Sequence, residues 1–189
     1  MKFLIIRFSS IGDIVLTSPV IRNLRKKFPE ASIDFMTKEA FSPLVKSSPF
    51  INEIINYKGN NSEIKEVLKS KNYDYIIDLH NNIRSRRLCS GTQSVVIRFN
   101  KLNIKKWLLV NFKIDIMPKV HIVDRYMETI KRFNVSNDNE GLDFHIAPED
   151  QILLEDFHIK SDEYVCLVIG GSKATKQLPA ENWVKLIKS

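Results

Sequence analysis

Short apolar runs alternate with stretches of helical periodicity from the first residues onward, and this alternation limits the possible folds more than any other feature. Residues 2–8, KFLIIRF, have the length and apolar content of a strand buried on both faces. Leu16, Val20, Ile21, Leu24 and Phe28 then recur at helical spacing over 14–28. Arg25, Lys26 and Lys27 end that stretch, where cations suit the negative end of a helix dipole. Further strands are predicted at 32–37, 53–57, 73–80 and 94–99. A short helix or loop is expected at 39–48, a helix at 62–71 with Ser62 as its N-cap, and helices at about 103–112 and 122–134. Alternation of this kind implies βαβ units with right-handed crossovers. The predicted class is therefore α/β: a doubly wound, Rossmann-like parallel sheet flanked by helices. Ligands bind such sheets beyond the carboxyl ends of the strands, so informative residues are expected just after strands one and four.

A polar, turn-rich stretch at 134–150, NVSNDNEGLDFHIAPED, interrupts the pattern. A helix is expected at 149–157, then a strand at 164–171 (YVCLVIGG), a turn and a helix from Glu181. This divides the chain into a domain over 1–160 and the first strand–turn–helix of a second domain over 161–189. A lone unit of that size cannot bury its own faces, which leads us to expect a piece of a longer protein.

Composition narrows the function classes. With 43% hydrophobic and 27% charged residues, the chain has the balance of a folded globular protein. No run approaches the roughly 18–20 apolar residues of a membrane span. Lys2 leads straight into FLIIRF without the long apolar core or small-residue cleavage site of a signal peptide, so a cytoplasmic location is expected. Cys89 and Cys166 lack metal-site spacing and are expected to be reduced thiols. The net charge of +7 favours an anionic partner: nucleic acid, a lipid headgroup surface or a phosphorylated small molecule. Its clusters lie at Arg22-Arg25-Lys26-Lys27, Arg84-Arg86-Arg87 and Lys101-Lys105-Lys106. Each taken alone is expected to be a solvated helix face.

The segment after the first strand, Arg7-Phe8-Ser9-Ser10-Ile11-Gly12-Asp13-Ile14, sits where such a sheet presents its ligand face. Gly12 permits a tight turn or close approach to a ligand. The serines offer hydrogen bonds, and Asp13 is the loop's one carboxylate. It can act as a general base toward a hydroxyl, or simply cap the following helix. Pro19 is tolerated in a first helical turn but would kink a helix that starts at Asp13. Neither G-x-G-x-x-G nor G-x-x-x-x-G-K-[ST] is present.

Four segments together resemble glycosyltransferase family 9, the heptosyltransferases of lipopolysaccharide core synthesis. They are FLIIRFSSIGDIVLTSPVIRNLRKKFPEASIDFMT, YDYIIDLHNNIRSRRL, HIVDRY at 121–126 and GGSKATKQLPAENWVKLI. The resemblance implies a GT-B architecture of two Rossmann-like domains, of which 1–160 is the acceptor-side one. It implies inverting, metal-independent transfer of a heptose or related sugar from a nucleotide-sugar donor such as ADP-heptose, with no cofactor. The acceptor would be an anionic, lipid-linked sugar of the lipopolysaccharide core, and the basic clusters could then also meet the cytoplasmic face of the inner membrane. Asp13 falls on the family's general base, and Lys176 and Ser172 fall on its donor diphosphate loop. Ser9, Ser10, Gly12, His80, Asn81 and Arg84 fall on the acceptor side. His80 stands where the family usually has glutamine, and an ordinary strand-end histidine is the competing reading.

Three other functions compete. A basic nucleic-acid-binding α/β domain would stack bases on Phe99, Trp107 and Phe112, but those aromatics fit helical core spacing and no nucleic-acid motif appears. A dinucleotide oxidoreductase lacks its glycine fingerprint. A folded but inactive fragment is the third, and this chain on its own is expected neither to transfer sugar nor to bind ADP-sugar tightly.

Overall fold

The computed structural model describes residues 1–160, 164–171 and 174–188. Close contacts divide the chain into two compact units, Met1–Pro148 and Glu149–Ser189. The first is built on five strands: β1 (Lys2–Ile6), β2 (Ser32–Lys38), β3 (Glu53–Tyr57), β4 (Tyr75–Asp78) and β5 (Val95–Arg98). They form one sheet in the order β3-β2-β1-β4-β5, and every pair is parallel. Strand β1 is central, which explains why its run is apolar without alternation. Its residues point to the two faces in turn. Phe3 and Ile5 join Ile14, Val20, Leu24 and Tyr126 in one core. Leu4 and Ile6 join Met36, Leu68, Ile76 and Leu88 in the other.

The helices are α1 (Ile11–Val15), α2 (Ser18–Lys27), α3 (Pro43–Lys46), α4 (Asn61–Lys71), α5 (Ile83–Cys89), α6 (Asn103–Phe112) and α7 (Ile122–Met127). The helix expected over 14–28 is thus two helices. Pro19 has no N–H to continue an i→i−4 ladder, so α1 ends and α2 restarts from Thr17, with Pro19 in its first turn. Helix α4 is capped by Asn60, not Ser62. The Asn60 side-chain oxygen accepts from the N–H groups of Ser62 and Glu63 at 3.1 and 3.4 Å, which places Ser62 inside the first turn. Helix α7 stops at Met127 and is followed by a 3-10 turn, Lys131–Phe133.

Two expectations about side chains are corrected. Arg22 is not on a solvated face: it is buried, and its guanidinium holds both carboxylate oxygens of Asp138 at 2.8 and 2.6 Å, together with Asp143 and the Gly141 carbonyl. Its neighbour Arg25 likewise donates to the carbonyls of Pro29, Ala31 and Phe50 and to Asn52. Conversely, Trp107 and Phe112 are not core residues. Both are exposed, and no residue of α6 is buried.

The helix expected over 149–157 appears only as 3-10 turns, Pro148–Asp150 and Leu154–Phe157. No strand forms over 164–171, where Val165, Val168 and Ile169 are exposed. A strand needs a neighbour for its N–H and C=O groups, and apolar content alone does not supply one. The expected helix does form as α8, Ala180–Lys188.

Candidate functional site

The order 3-2-1-4-5 reverses between β1 and β4, so the carboxyl ends of those two strands flank the topological switch point where such sheets bind ligands. Arg7 leaves β1 at that point. Although charged it is buried, which is affordable because its donors are satisfied. It donates to the Leu79 carbonyl at 2.8 Å and the Ser9 carbonyl at 2.9 Å, and pairs with the Asp13 carboxylate at 2.6 Å. The guanidinium also lies 5.9 Å from the centre of the Tyr126 ring. Arg7 therefore ties the loop after β1 to the end of β4 across the switch point.

Asp13 stands in the first turn of α1. The Ser10 hydroxyl and N–H donate to it at 3.0 and 3.3 Å, so the capping role does exist. It does not consume the group: the Asp13 side chain keeps 38% of its surface exposed. Burial by itself would raise the Asp13 carboxyl, but the Arg7 charge and the Ser10 hydrogen bonds outweigh it and hold the group below the usual carboxylate range. The result is an ionised carboxylate, oriented by two partners and reachable from outside. Ser9 is half-buried and contributes its carbonyl to Arg7, and Ser10 is exposed.

Gly12 meets no conformational demand. It lies inside α1, its backbone is not in the left-handed region, and a Cβ built on it would find nothing within 4 Å. The tight-turn explanation thus fails. Gly12→Ala is expected to fold normally and gain about 0.5–1 kcal/mol of stability from the better helix former. If an acceptor passes over this turn, the same variant raises the acceptor KM. Unchanged acceptor kinetics would remove Gly12 from the site.

Strand β4 ends in a fully buried carboxylate, Asp78. It accepts from the N–H groups of His80 and Asn81 at 3.1 and 2.7 Å and from the Ser85 hydroxyl at 2.7 Å. These bonds turn the chain out of the sheet, so β4 stops short of residue 80. Burial pushes the Asp78 carboxyl up, against those hydrogen bonds. Asn81 adopts a left-handed backbone, φ 41°, donates to the Phe99 carbonyl at 2.7 Å and accepts from Arg86 at 2.8 Å. It braces the loop as well as standing in it. The His80 ring packs 4.9 Å from that of Phe8, and its Nδ1 is buried without a hydrogen-bond partner. Burial and the nearby Arg7 charge push its pKa down to about 4, so the imidazole is neutral at physiological pH.

Arg84, in the first turn of α5, lies 5.6 Å from the Tyr57 ring centre. With Arg86, Arg87 and Lys101 it lines an open groove of about 690 Å³, whose other walls are mostly asparagines. Arg84 and Arg87 also line a second groove of about 480 Å³ with Lys38 and Lys58. No carboxylate lines either one among the described residues. Lys101 is partly buried, and burial together with Arg7 pushes its pKa down. Arg7 and Asp78 had no assigned role in the sequence, whereas Lys101 belongs to one of the basic clusters singled out there. A charge placed directly at the end of a buried strand, as Arg7 and Asp78 both are, is the signal that marks such residues.

Lys176 belongs to the second unit, at the end of a 3-10 turn, Ala174–Lys176, and its side chain is exposed. Ser172 lies outside the described residues. Gly171 closes this loop: a Cβ there would stand 2.9 Å from the Lys176 carbonyl oxygen, and the Gln177 amide donates to the Gly171 carbonyl.

The model of glycosyltransferase family 9 (heptosyltransferase) matches residues 62–189, about two thirds of the chain. The chain belongs to this family. It is 24% identical over 206 residues to lipopolysaccharide heptosyltransferase 1 of Escherichia coli O18:K1:H7, covering 99% of this chain and 62% of that protein. The corresponding enzyme of Campylobacter coli is also 24% identical and is covered over 60% of its length. The chain thus spans less than two thirds of the length of these relatives. Among solved structures, a family 9 glycosyltransferase from Veillonella parvula superimposes with a TM-score of 0.74 at 23% identity, over 98% of this chain and 58% of that one. The E. coli heptosyltransferase WaaC with ADP-2-deoxy-2-fluoro heptose superimposes with a TM-score of 0.73 at 23% identity, over 100% of this chain and 65% of that one. The predicted class therefore holds: the fold is that of the amino-terminal portion of a GT-B glycosyltransferase.

Proposed function

We propose that this chain carries the acceptor-side machinery of a heptosyltransferase, transferring a heptose from a nucleotide-sugar donor such as ADP-heptose to a lipid-linked, anionic sugar of the lipopolysaccharide core. The observation that carries the reading is Asp13: an ionised, partly exposed carboxylate fixed by Arg7 and Ser10 at the switch point of the sheet. In the proposed step the carboxylate takes the proton of an acceptor hydroxyl as its oxygen bonds to the anomeric carbon. The bond from that carbon to the diphosphate breaks, ADP departs, and the configuration inverts. The basic groove that Asn81 and Arg84 line suits the charged acceptor, and in this reading Ser9, Ser10, Gly12 and His80 contact the same acceptor beside Asp13. Lys176, with Ser172 in the same loop, would meet the departing diphosphate, whose growing charge an ammonium stabilises without a metal ion. In this reading residues 1–160 serve the acceptor and residues 161–189 begin the part that serves the donor.

The dinucleotide and nucleic-acid alternatives gain nothing further. Exposure of Trp107 and Phe112 removes one argument against nucleic acid, but the family match supports a transferase instead. The test is release of ADP from ADP-heptose by the full-length protein, dependent on a lipid A-linked core acceptor, with the anomeric configuration of the product read by NMR. Retention, or acceptor-independent hydrolysis alone, rejects the proposed step.

A further inference from the structure

A buried cation at the head of the site needs a reason to be charged. Arg7 leaves the carboxyl end of β1 only 8% exposed. Two of its contacts are to backbone: Nε donates to the Ser9 carbonyl at 2.9 Å and Nη1 to the Leu79 carbonyl at 2.8 Å. A neutral donor or a water molecule could satisfy either carbonyl without the cost of burying a charge. Only the third contact uses the charge, from Nη2 to the Asp13 carboxylate at 2.6 Å. Among the described residues that carboxylate is the one ion-pair partner of Arg7. The pair is unequal. Arg7 is anchored to the ends of two neighbouring strands, whereas Asp13 keeps 38% of its side chain exposed. The guanidinium is thus the fixed member and sets where the carboxylate points. Of the other groups around Asp13, Ser10 donates its hydroxyl and N–H, and the His80 imidazole at the end of β4 is neutral at physiological pH. Lys101 after β5 and Tyr126 of α7 lie near enough to feel its charge.

We propose that Arg7 is a positioning residue of the transfer reaction, aiming the Asp13 carboxylate at the acceptor hydroxyl and returning it to its charged form after each proton it takes. The role rests on the reading of Asp13 as the base. As the acceptor oxygen bonds to the anomeric carbon, its proton passes to Asp13, and the partner of Arg7 becomes a neutral acid. Arg7 is then a buried cation without a counter-charge, which is costly. Loss of that proton to water, once the product has left, restores the pair. Burial raises the Asp13 carboxyl, and the Arg7 charge is the largest influence lowering it. Arg7 therefore weakens Asp13 as a base but keeps it ionised and oriented between turnovers.

Two variants of the full-length protein separate this role from that of a brace between β1 and β4. Arg7→Gln keeps a donor for one carbonyl but no charge, and Arg7→Lys keeps the charge. Transfer to a soluble, delipidated core saccharide should fall by about tenfold to 100-fold in Arg7→Gln, as for a displaced reacting group, with donor affinity unchanged. Arg7→Lys should recover much of that loss. In an Asp13→Asn background, Arg7→Gln should cost less than about twofold further, because it acts through the group already removed. Carbon-13 NMR of the Asp13 carboxyl, assigned by its loss in Asp13→Asn, reads the same link with no substrate present and apart from the titration of His80. The wild-type midpoint should lie below the ordinary aspartate value and rise by about one unit or more in Arg7→Gln, but not in Arg7→Lys. An equal loss of rate with and without Asp13 overturns the inference. So does a wild-type midpoint at or above the ordinary value, which is readable even where neither Arg7 variant folds. Near-normal transfer by Asp13→Asn rejects the base, and this role with it. Loss of transfer there, with an unmoved midpoint in Arg7→Gln, rejects this role alone.

Discussion

Asp13→Asn in the full-length protein is expected to lower turnover by about 100-fold or more while leaving ADP-heptose affinity nearly unchanged. Asparagine has the same shape, and its oxygen can still accept from the Ser10 hydroxyl and N–H, so the start of α1 should survive. What it lacks is a charge to accept the acceptor's proton. The wild-type pH profile offers a second readout. The carboxyl is held below the usual range, and the active form is the deprotonated one. Turnover should therefore rise with pH through a limb below the ordinary aspartate pKa and be level by neutrality. The stability contribution has the same sign: it is present above the unfolded-state pKa and lost as pH falls through the depressed one. Steady-state kinetics with calorimetry on the donor separates the roles. If the variant works at near-normal rate, Asp13 is a helix cap and nothing more.

How far the sequence could be read depended on the range of the interaction involved. The five strands follow from local periodicity, clearest in the apolar run of Lys2–Ile6, and their parallel direction follows from the helices between them; their order in the sheet does not. Strand and helix ends were less legible, since side chains compete for them. Asp78 captures two backbone N–H groups and ends β4 early, and Asn60 takes the cap expected of Ser62. The apolar run 164–171 shows the opposite failure, because a strand is a property of a pair. At the site, the position of Asp13 was legible from the motif and its place after β1. Its ion pair with Arg7 was not, nor was the bond from Arg7 to Leu79, 72 residues away. The aromatic spacing of α6 suggested core, yet helical periodicity says only that residues share a face, not that the face is covered.

The charge cluster at Arg22 is where local reading failed most, and it makes the second large prediction. Arg22 and its carboxylates are 116 and 121 residues apart, so nothing nearby in the chain distinguishes it from the exposed Lys26 and Lys27. Arg22→Ala is expected to cost about 3–5 kcal/mol, as removal of one partner from a buried ion pair does. The reason is the charge left behind: Asp138 and Asp143 side chains are only 15% and 21% exposed, so water hydrates them poorly. The low end of that range is favoured, because Lys26 still reaches Asp138 at 2.8 Å. Lys26→Ala should lose far less, since Arg22 remains and the lysine is half exposed. The Asp138 carboxyl is held far below the usual range, first by its hydrogen bonds from Arg22. Its contribution is thus fully present above the ordinary aspartate pKa and lost as pH falls toward the depressed one. Wild-type stability should therefore drop on acidification, and Arg22→Ala should flatten that drop. Urea midpoints at neutral and acid pH measure both effects. A loss under about 1 kcal/mol at neutral pH, with the acid dependence intact, would mean that residues 138–143 are held against α2 by something other than this arginine.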